Sequence, residues 1–233
     1  MALANFNTAL IVGAGSGLSA SLARALAKAG IRVALAARTT DDLAALVEEI
    51  GGKAYVCDAA QPAQVEKLFA DVDTAVGAPE IVVYNASYRA RGPLVDLDPG
   101  EVAKALAVCG FGGFLVAQAA ARRMLPKKHG AILFTGASAS VKGFAQSAPF
   151  AMGKFALRGL AQSMARELGP LGIHVAHVVI DGAIKSARRQ ELPDRPASML
   201  DPDAIAATYL NVIHQPRSAW TWEVELRPWT EPF

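Results

Sequence analysis

Short apolar runs rich in β-branched residues alternate along the chain with longer stretches whose apolar residues recur at helical spacing. TALIV (8–12), IRVALA (31–36), KAYVC (53–57), IVVY (81–84), AILFT (131–135) and IHVAHVV (173–179) predict strands. Trp220 and TWEVEL (221–226) predict a seventh. The runs are mostly apolar throughout rather than alternating, as parallel strands covered on both faces require. A helix between each pair of strands builds a parallel, doubly wound α/β sheet with helices on both faces, a Rossmann-like architecture. LARALAKAG predicts a helix closed by Gly30, and MARELGPLG one closed by Gly169 ahead of Pro170, each glycine acting as a left-handed cap. Residues 181–200 have no clear period and read as a mobile loop over the ligand crevice.

At 233 residues with no linker-like tract, the chain reads as a single domain spanning 1–233. A hydrophobic share of 52% and a charged share of 19% suit a packed globular core. The net charge of +2 is spread without blocks, which argues against a nucleic-acid surface and points to a small-molecule partner. The longest apolar stretch, 105–121, contains three glycines and falls short of the roughly 20 residues of a membrane span. It predicts a buried helix. Cys57 and Cys109 form no CxxC pair, and the N-terminus has no basic secretory n-region, so the expected location is the cytoplasm.

Directly after the first strand, VGAGSGLSASLARALAKAG is a glycine-rich turn opening a helix, the arrangement in which backbone amides cradle a pyrophosphate. Two spacings compete. GxGxxG matches Gly13 and Gly15 but meets Leu18, whereas GxxxGxG matches Gly13 and Gly17 and meets Ser19. Ser19 is small enough for close helix-on-strand packing, so the second spacing fits better. Gly13, Gly15, Ser16, Gly17 and Leu18 are the candidate phosphate contacts. The second strand ends in LAARTT without a carboxylate for the ribose hydroxyls, and Arg38 stands ready to pair with a 2′-phosphate. The expected cofactor is NADP(H).

The ordered set of a GxxxGxS turn, Asp58, YNAS (84–87), FTGASAS (134–140) and FxxxK (150–154) resembles the short-chain dehydrogenase/reductase superfamily over essentially the whole chain. The resemblance implies a nicotinamide dinucleotide across the strand ends. It makes Asp58 the adenine-contacting acid, places Asn85 with Ala86 in the family's NNAG motif, and makes Lys154 the lysine that holds the nicotinamide ribose. DGAIKS (181–186) matches the family's PGxxxT segment, bringing Gly182 and Ser186 to the nicotinamide end.

The chain departs from the family at the chemistry itself. Phe150 stands where the proton-donating tyrosine would be, Ala137 where strict spacing puts the serine with Ser138 beside it, and Cys109 where the asparagine would be. General acid catalysis is worth about 10²–10⁴-fold, so its loss weakens carbonyl reduction without removing cofactor binding. Three readings follow: another donor such as Tyr88 or Ser87, with Ser138 orienting substrate; reduction of a conjugated C=C bond; or NADP(H) binding without turnover, as a sensor or scaffold. A reductase of small apolar carbonyl or enone substrates leads, and a non-catalytic regulatory protein is the alternative. The resemblance also implies a homodimer or homotetramer through the helices near 100–125 and 148–168. The two tryptophans of the closing segment are expected in a subunit contact. His174 and His177, three apart in a strand, should face opposite sides and make poor joint metal ligands.

Overall fold

A computed structural model of the chain describes residues 6–186, 189–191 and 193–231. Seven parallel strands form one sheet in the order β3-β2-β1-β4-β5-β6-β7. They are β1 (Thr8–Val12), β2 (Arg32–Ala37), β3 (Lys53–Val56), β4 (Ile81–Tyr84), β5 (Gly130–Thr135), β6 (Ile173–Ile180) and β7 (Glu223–Leu226). Every residue of β1, β4, β5 and β6 is buried, because helices cover both faces of the sheet.

On one face α1 (Leu18–Lys28), α2 (Ala44–Ile50) and α7 (Pro202–Ile213) close a core around Ile11, Leu35, Val83, Leu133 and Val178. On the other, α3 (Pro62–Ala75), α4 (Pro99–Leu106), α5 (Gly112–Met124) and α6 (Ala148–Leu168) close a second around Leu10, Val82, Phe134 and Val175. The period-2 alternation of side chains along each strand sends its apolar residues to both cores in turn. Helix starts follow local chemistry: Asp98 and Asp201 cap α4 and α7 by accepting the amides of Glu101 and Asp203, with prolines in the first turn.

Several expectations are corrected. The strand written from Trp220 begins only at Glu223, because the Trp220 indole N–H donates to Gln215 O and its ring stacks on His174 at 4.7 Å. Trp222 packs near the Arg158 guanidinium, so both tryptophans make contacts within the chain, while Trp229 is 82% exposed. Gly169 is right-handed and continues α6 into a 3-10 turn. The reversal falls at Gly172 (φ +89), where a side chain would meet Lys128 O at 2.5 Å. The apolar stretch at 105–121 belongs to a continuous helical segment, Pro99–Lys127, of 29 residues and mean hydropathy 1.6. By length and composition that segment could cross a membrane, and in the fold it packs against α3 and α6. Within 181–200, the described backbone is tied back by Lys185 N to Leu200 O and Leu200 N to Ala183 O. Residues 187, 188 and 192 of that loop lie outside the described residues.

Candidate cofactor cleft and active site

The strand order turns back between β1 and β4, and ligands of such sheets bind at the carboxyl ends beside that switch. Here Gly13, after β1, faces Asn85 and Ala86, after β4. Gly13 has φ +87, and a Cβ on it would sit 2.3 Å from Ala86 N, so backbone meets backbone at a place only glycine permits. Asn85 Nδ2 donates to Ser19 Oγ at 2.7 Å, and Ser19 Oγ donates to Gly13 O at 3.1 Å. Ser19, nearly fully buried, thus locks helix α1 against the turn, which is the packing that the GxxxGxS spacing requires.

Two cavities meet at Gly13 and Asn85. One, of about 290 Å³, is lined by Arg38, Thr39, Asp42, Asp58, Ala86 and Tyr88 among others. The other, of about 460 Å³, is lined by Gly15, Gly17, Leu18, Ser19, Ser186 and Arg189 among others. Added Cβ atoms on Gly15 and Gly17 would meet nothing within 4 Å, so the turn presents bare backbone to open space at the start of α1. These features fit a dinucleotide: an open glycine turn for the pyrophosphate, with Arg38 and Asp58 at one end and Ser186 at the other.

Most residues singled out in the sequence come together here, with exceptions. Ser16 is exposed beside the turn and lines neither cavity. Gly182 packs against Pro228, where a Cβ would lie 2.6 Å from the proline ring, and also lines neither. Asp181, in place of the family proline, is held by Arg227 at 2.8 Å and Lys142 at 3.5 Å. Asp42 and Arg189 were not legible as site residues. Asp42 lies in a 3-10 turn four residues beyond Arg38, and only the fold of that turn brings its carboxylate into the same cavity.

The positions that the sequence pattern aligned with the family's catalytic residues form a separate cluster. Cys109, Ala137, Ala139 and Phe150 pack together as a small apolar core of their own. A π-helical turn, Ala107–Phe111, carries Cys109, and Gly153 lets α6 approach it: a Cβ at 153 would meet Cys109 Cβ at 2.6 Å. The Cys109 thiol accepts from Tyr88 N and donates to Tyr88 O, so it bonds to backbone. Tyr88 donates its hydroxyl to Glu101 and lies under the Lys104 ammonium, which engages it with α4. Ser138 is half-buried at the start of a 3-10 turn, outside the apolar cluster, and its carbonyl accepts the amides of Val141 and Lys142. The fully buried Ser140 accepts the Ala137 amide through its hydroxyl.

Lys154 is 2% exposed, so it neither snorkels to water nor lines the open cavities. Its Nζ donates to Thr135 O at 2.8 Å, at the carboxyl end of β5, and no other protein acceptor serves it among the described residues. Burial pulls its pKa down to about 8, and nearby Arg89 adds to the fall. Two ammonium hydrogens remain for a ligand hydroxyl. On the opposite face of β5 the Thr135 hydroxyl bonds Tyr209 at 2.8 Å, which steadies the strand end. On the α6 face, His177 Nδ1 lies 3.0 Å from Glu223 Oε2, and Glu223 is gripped by Arg158, one turn beyond Lys154. His174 meets Thr221 O instead, so the two histidines are separated as their spacing requires.

The guanidinium of Arg89 lies over the Phe150 ring, 4.1 Å from its centroid. No feature of the sequence marked it.

Comparison with known proteins agrees with this geometry. The family profile described as short chain dehydrogenase matches residues 7–197. D-threitol dehydrogenase of Mycolicibacterium smegmatis is 28% identical over 219 residues, covering 87% of this chain and 84% of that protein. A short-chain dehydrogenase from Rhodopseudomonas palustris superposes with a TM-score of 0.83 at 35% identity, over 96% of this chain and 99% of the other. A metagenomic short-chain oxidoreductase solved in complex with NADP superposes with a TM-score of 0.82 at 30% identity, over 95% and 97%. With the glycine turn, the β1/β4 switch and the buried lysine already in place, this chain belongs to the short-chain dehydrogenases, a family of NAD(P)(H)-binding oxidoreductases acting on small molecules.

Proposed function

We propose that the protein is an NADP(H)-dependent oxidoreductase with an altered catalytic set, acting on a small carbonyl or conjugated C=C compound. The observation that carries this reading is the pair of neighbouring cavities that share Gly13 and Asn85 in their walls, one lined by Arg38 and the other by Ser186. Gly15 and Gly17 would hold the pyrophosphate and Asp58 the adenine end, and Lys154, buried beside Thr135 O and off both cavities, would meet the nicotinamide ribose only through an opening of the site above it. Bound NADPH supplies a hydride. Arg38 favours a 2′-phosphate, and the likeness to the NADP complex supports the same choice. Asp42 in the same cavity is the feature that would favour NAD instead.

Without a phenolic proton at Phe150, charge developing on a substrate oxygen is left to the cations Lys154 and Arg89, and the proton to water. Reactions that need little help at oxygen fit best. The apolar packing of Cys109, Ala137, Ala139 and Phe150 favours a second reading, an NADP(H)-binding regulatory protein without turnover. Phe111 and Phe114 stack at 6.3 Å on the exposed side of the helical segment, and Met152 and Phe155 are exposed on α6. That apolar face supports a homo-oligomer, with sedimentation as its check. Two buried, unpaired cysteines suit a reducing cytoplasm.

Fluorescence titration with NADPH and NADH tests the reading. Preferential binding of NADPH is expected. Absence of binding by either nucleotide sinks the oxidoreductase and regulatory readings together.

A further inference from the structure

Arg89 is a guanidinium without a counter-ion. Among the described residues it has no hydrogen-bond acceptor and no carboxylate partner; its structural contact is the face of Phe150. Most carboxylates around the site are already engaged, and Asp42 and Asp58 line the neighbouring cavity without pairing with Arg89. Glu101 takes the Tyr88 hydroxyl and faces Lys104, Glu191 pairs with Lys185, and Asp181 pairs with Arg227 and Lys142. Partial burial, and then the like charges of Arg91 and Arg189, pull the pKa of Arg89 down. An exposed arginine resting over an aromatic ring and among like charges is stabilised by an anion arriving from its solvent side. The planar guanidinium fork matches a carboxylate through two parallel hydrogen bonds.

Phe150 occupies the position of the family's proton donor, so whatever Arg89 binds lies at the reacting centre. We infer that the substrate carries a carboxylate close to its reacting carbon, and that Arg89 on Phe150 is the group that recognises it. A short oxo acid, or the corresponding hydroxy acid, is the class that fits. Cys109, Ala137 and Ala139 are packed shut with Phe150 beneath Arg89, so the anion meets the guanidinium from its exposed side. This inference rests on the proposed function for placing the reacting centre at Phe150, and deepens it by naming the substrate class.

The test is a ligand-observed NMR titration of the purified chain, with and without NADP+. The probes are 2-oxobutanoate and 3-oxobutanoate, each against its neutral amide. A charge-assisted bidentate pair predicts acid binding about ten- to hundredfold tighter than amide binding. Arg89→Met, which keeps the stem and loses the charge, should erase the preference, whereas Arg89→Lys should keep part of it. Equal binding of acid and amide, an undiminished preference in Arg89→Met, or no binding of any probe overturns the inference. Parallel NADPH titrations separate the two ideas. NADPH binding without acid preference sinks the anion site alone, whereas acid preference without NADPH binding sinks the proposed function and leaves the anion site standing.

Discussion

Replacing Lys154 by methionine removes a buried charge while preserving an unbranched stem of similar length. The fall of its pKa from 10.5 to about 8 corresponds to roughly 3 kcal/mol set against the charged form in the fold, at about 1.36 kcal/mol per unit. Methionine relieves that. It also leaves Thr135 O without the donor now at 2.8 Å, a loss of about 1–3 kcal/mol. The net expectation at pH 7 is a stabilisation of about 1 kcal/mol, a melting temperature higher by about 2–4 °C for a chain of this size. NADPH affinity should fall at least about tenfold in the same variant, because the ribose loses its charged donor.

The pH dependence supplies an internal check. Between pH 8 and 10.5 the folded lysine has released its proton while the unfolded chain still holds one. Wild-type stability therefore rises by about 3 kcal/mol through that window relative to the variant, so the two melting curves cross and the wild type is the more stable by about 2 kcal/mol at pH 10.5. Thermal melts by circular dichroism from pH 7 to 10.5, with NADPH titrations at pH 7, measure all of this. A variant that melts several degrees below wild type at pH 7, or a variant whose lead over wild type grows above pH 8, would refute the view of Lys154 as a strained charge kept for a ligand.

Other substitutions probe separate parts of the site. Gly13→Ala should lower both melting temperature and NADPH affinity, since it combines φ +87 with a 2.3 Å approach to Ala86 N. Gly15→Ala, with open space around it, should weaken NADPH binding while stability changes by no more than about 1 kcal/mol; equal melting losses in both variants would contradict this. Phe150→Tyr combined with Ala137→Ser should raise carbonyl reduction by about 10²–10⁴-fold over the parent in an NADPH-consumption assay. An unchanged rate in a folded, NADPH-binding double variant would favour the regulatory reading. His177 is fully buried and its pKa is pushed down to about 4, mainly by burial. The unfolded chain takes up a proton near pH 6.5 that the fold refuses until about 4, so stability should fall as pH drops across that window by up to about 3 kcal/mol. His177→Gln should flatten that slope, as read by melts between pH 4 and 7.

The parallel sheet and its strand positions were legible because apolar runs buried on both faces leave a strong local signal. IVVY and TALIV coincide with β4 and β1 residue for residue. The closing strand was overextended because two tryptophans mimic strand propensity, while a side-chain bond from Trp220 to Gln215 O decides otherwise. Phe150, Ala137 and Cys109 could be placed against the family pattern from spacing. Their collapse into one apolar cluster could not, because it depends on a π-helical turn and the close approach of α6.

By itself, the order of residues determined the sheet, the glycine turn with Ser19, and a phenyl ring one helical turn before Lys154, since each depends on neighbours a few residues apart. Tertiary structure alone decided that Lys154 is buried against Thr135 O, that Asp42 enters the cavity of Arg38, and that Arg89 rests on Phe150, sixty-one positions away in the chain. Those outcomes turn on burial and on which long-range groups share a charge environment, and no local pattern encodes either.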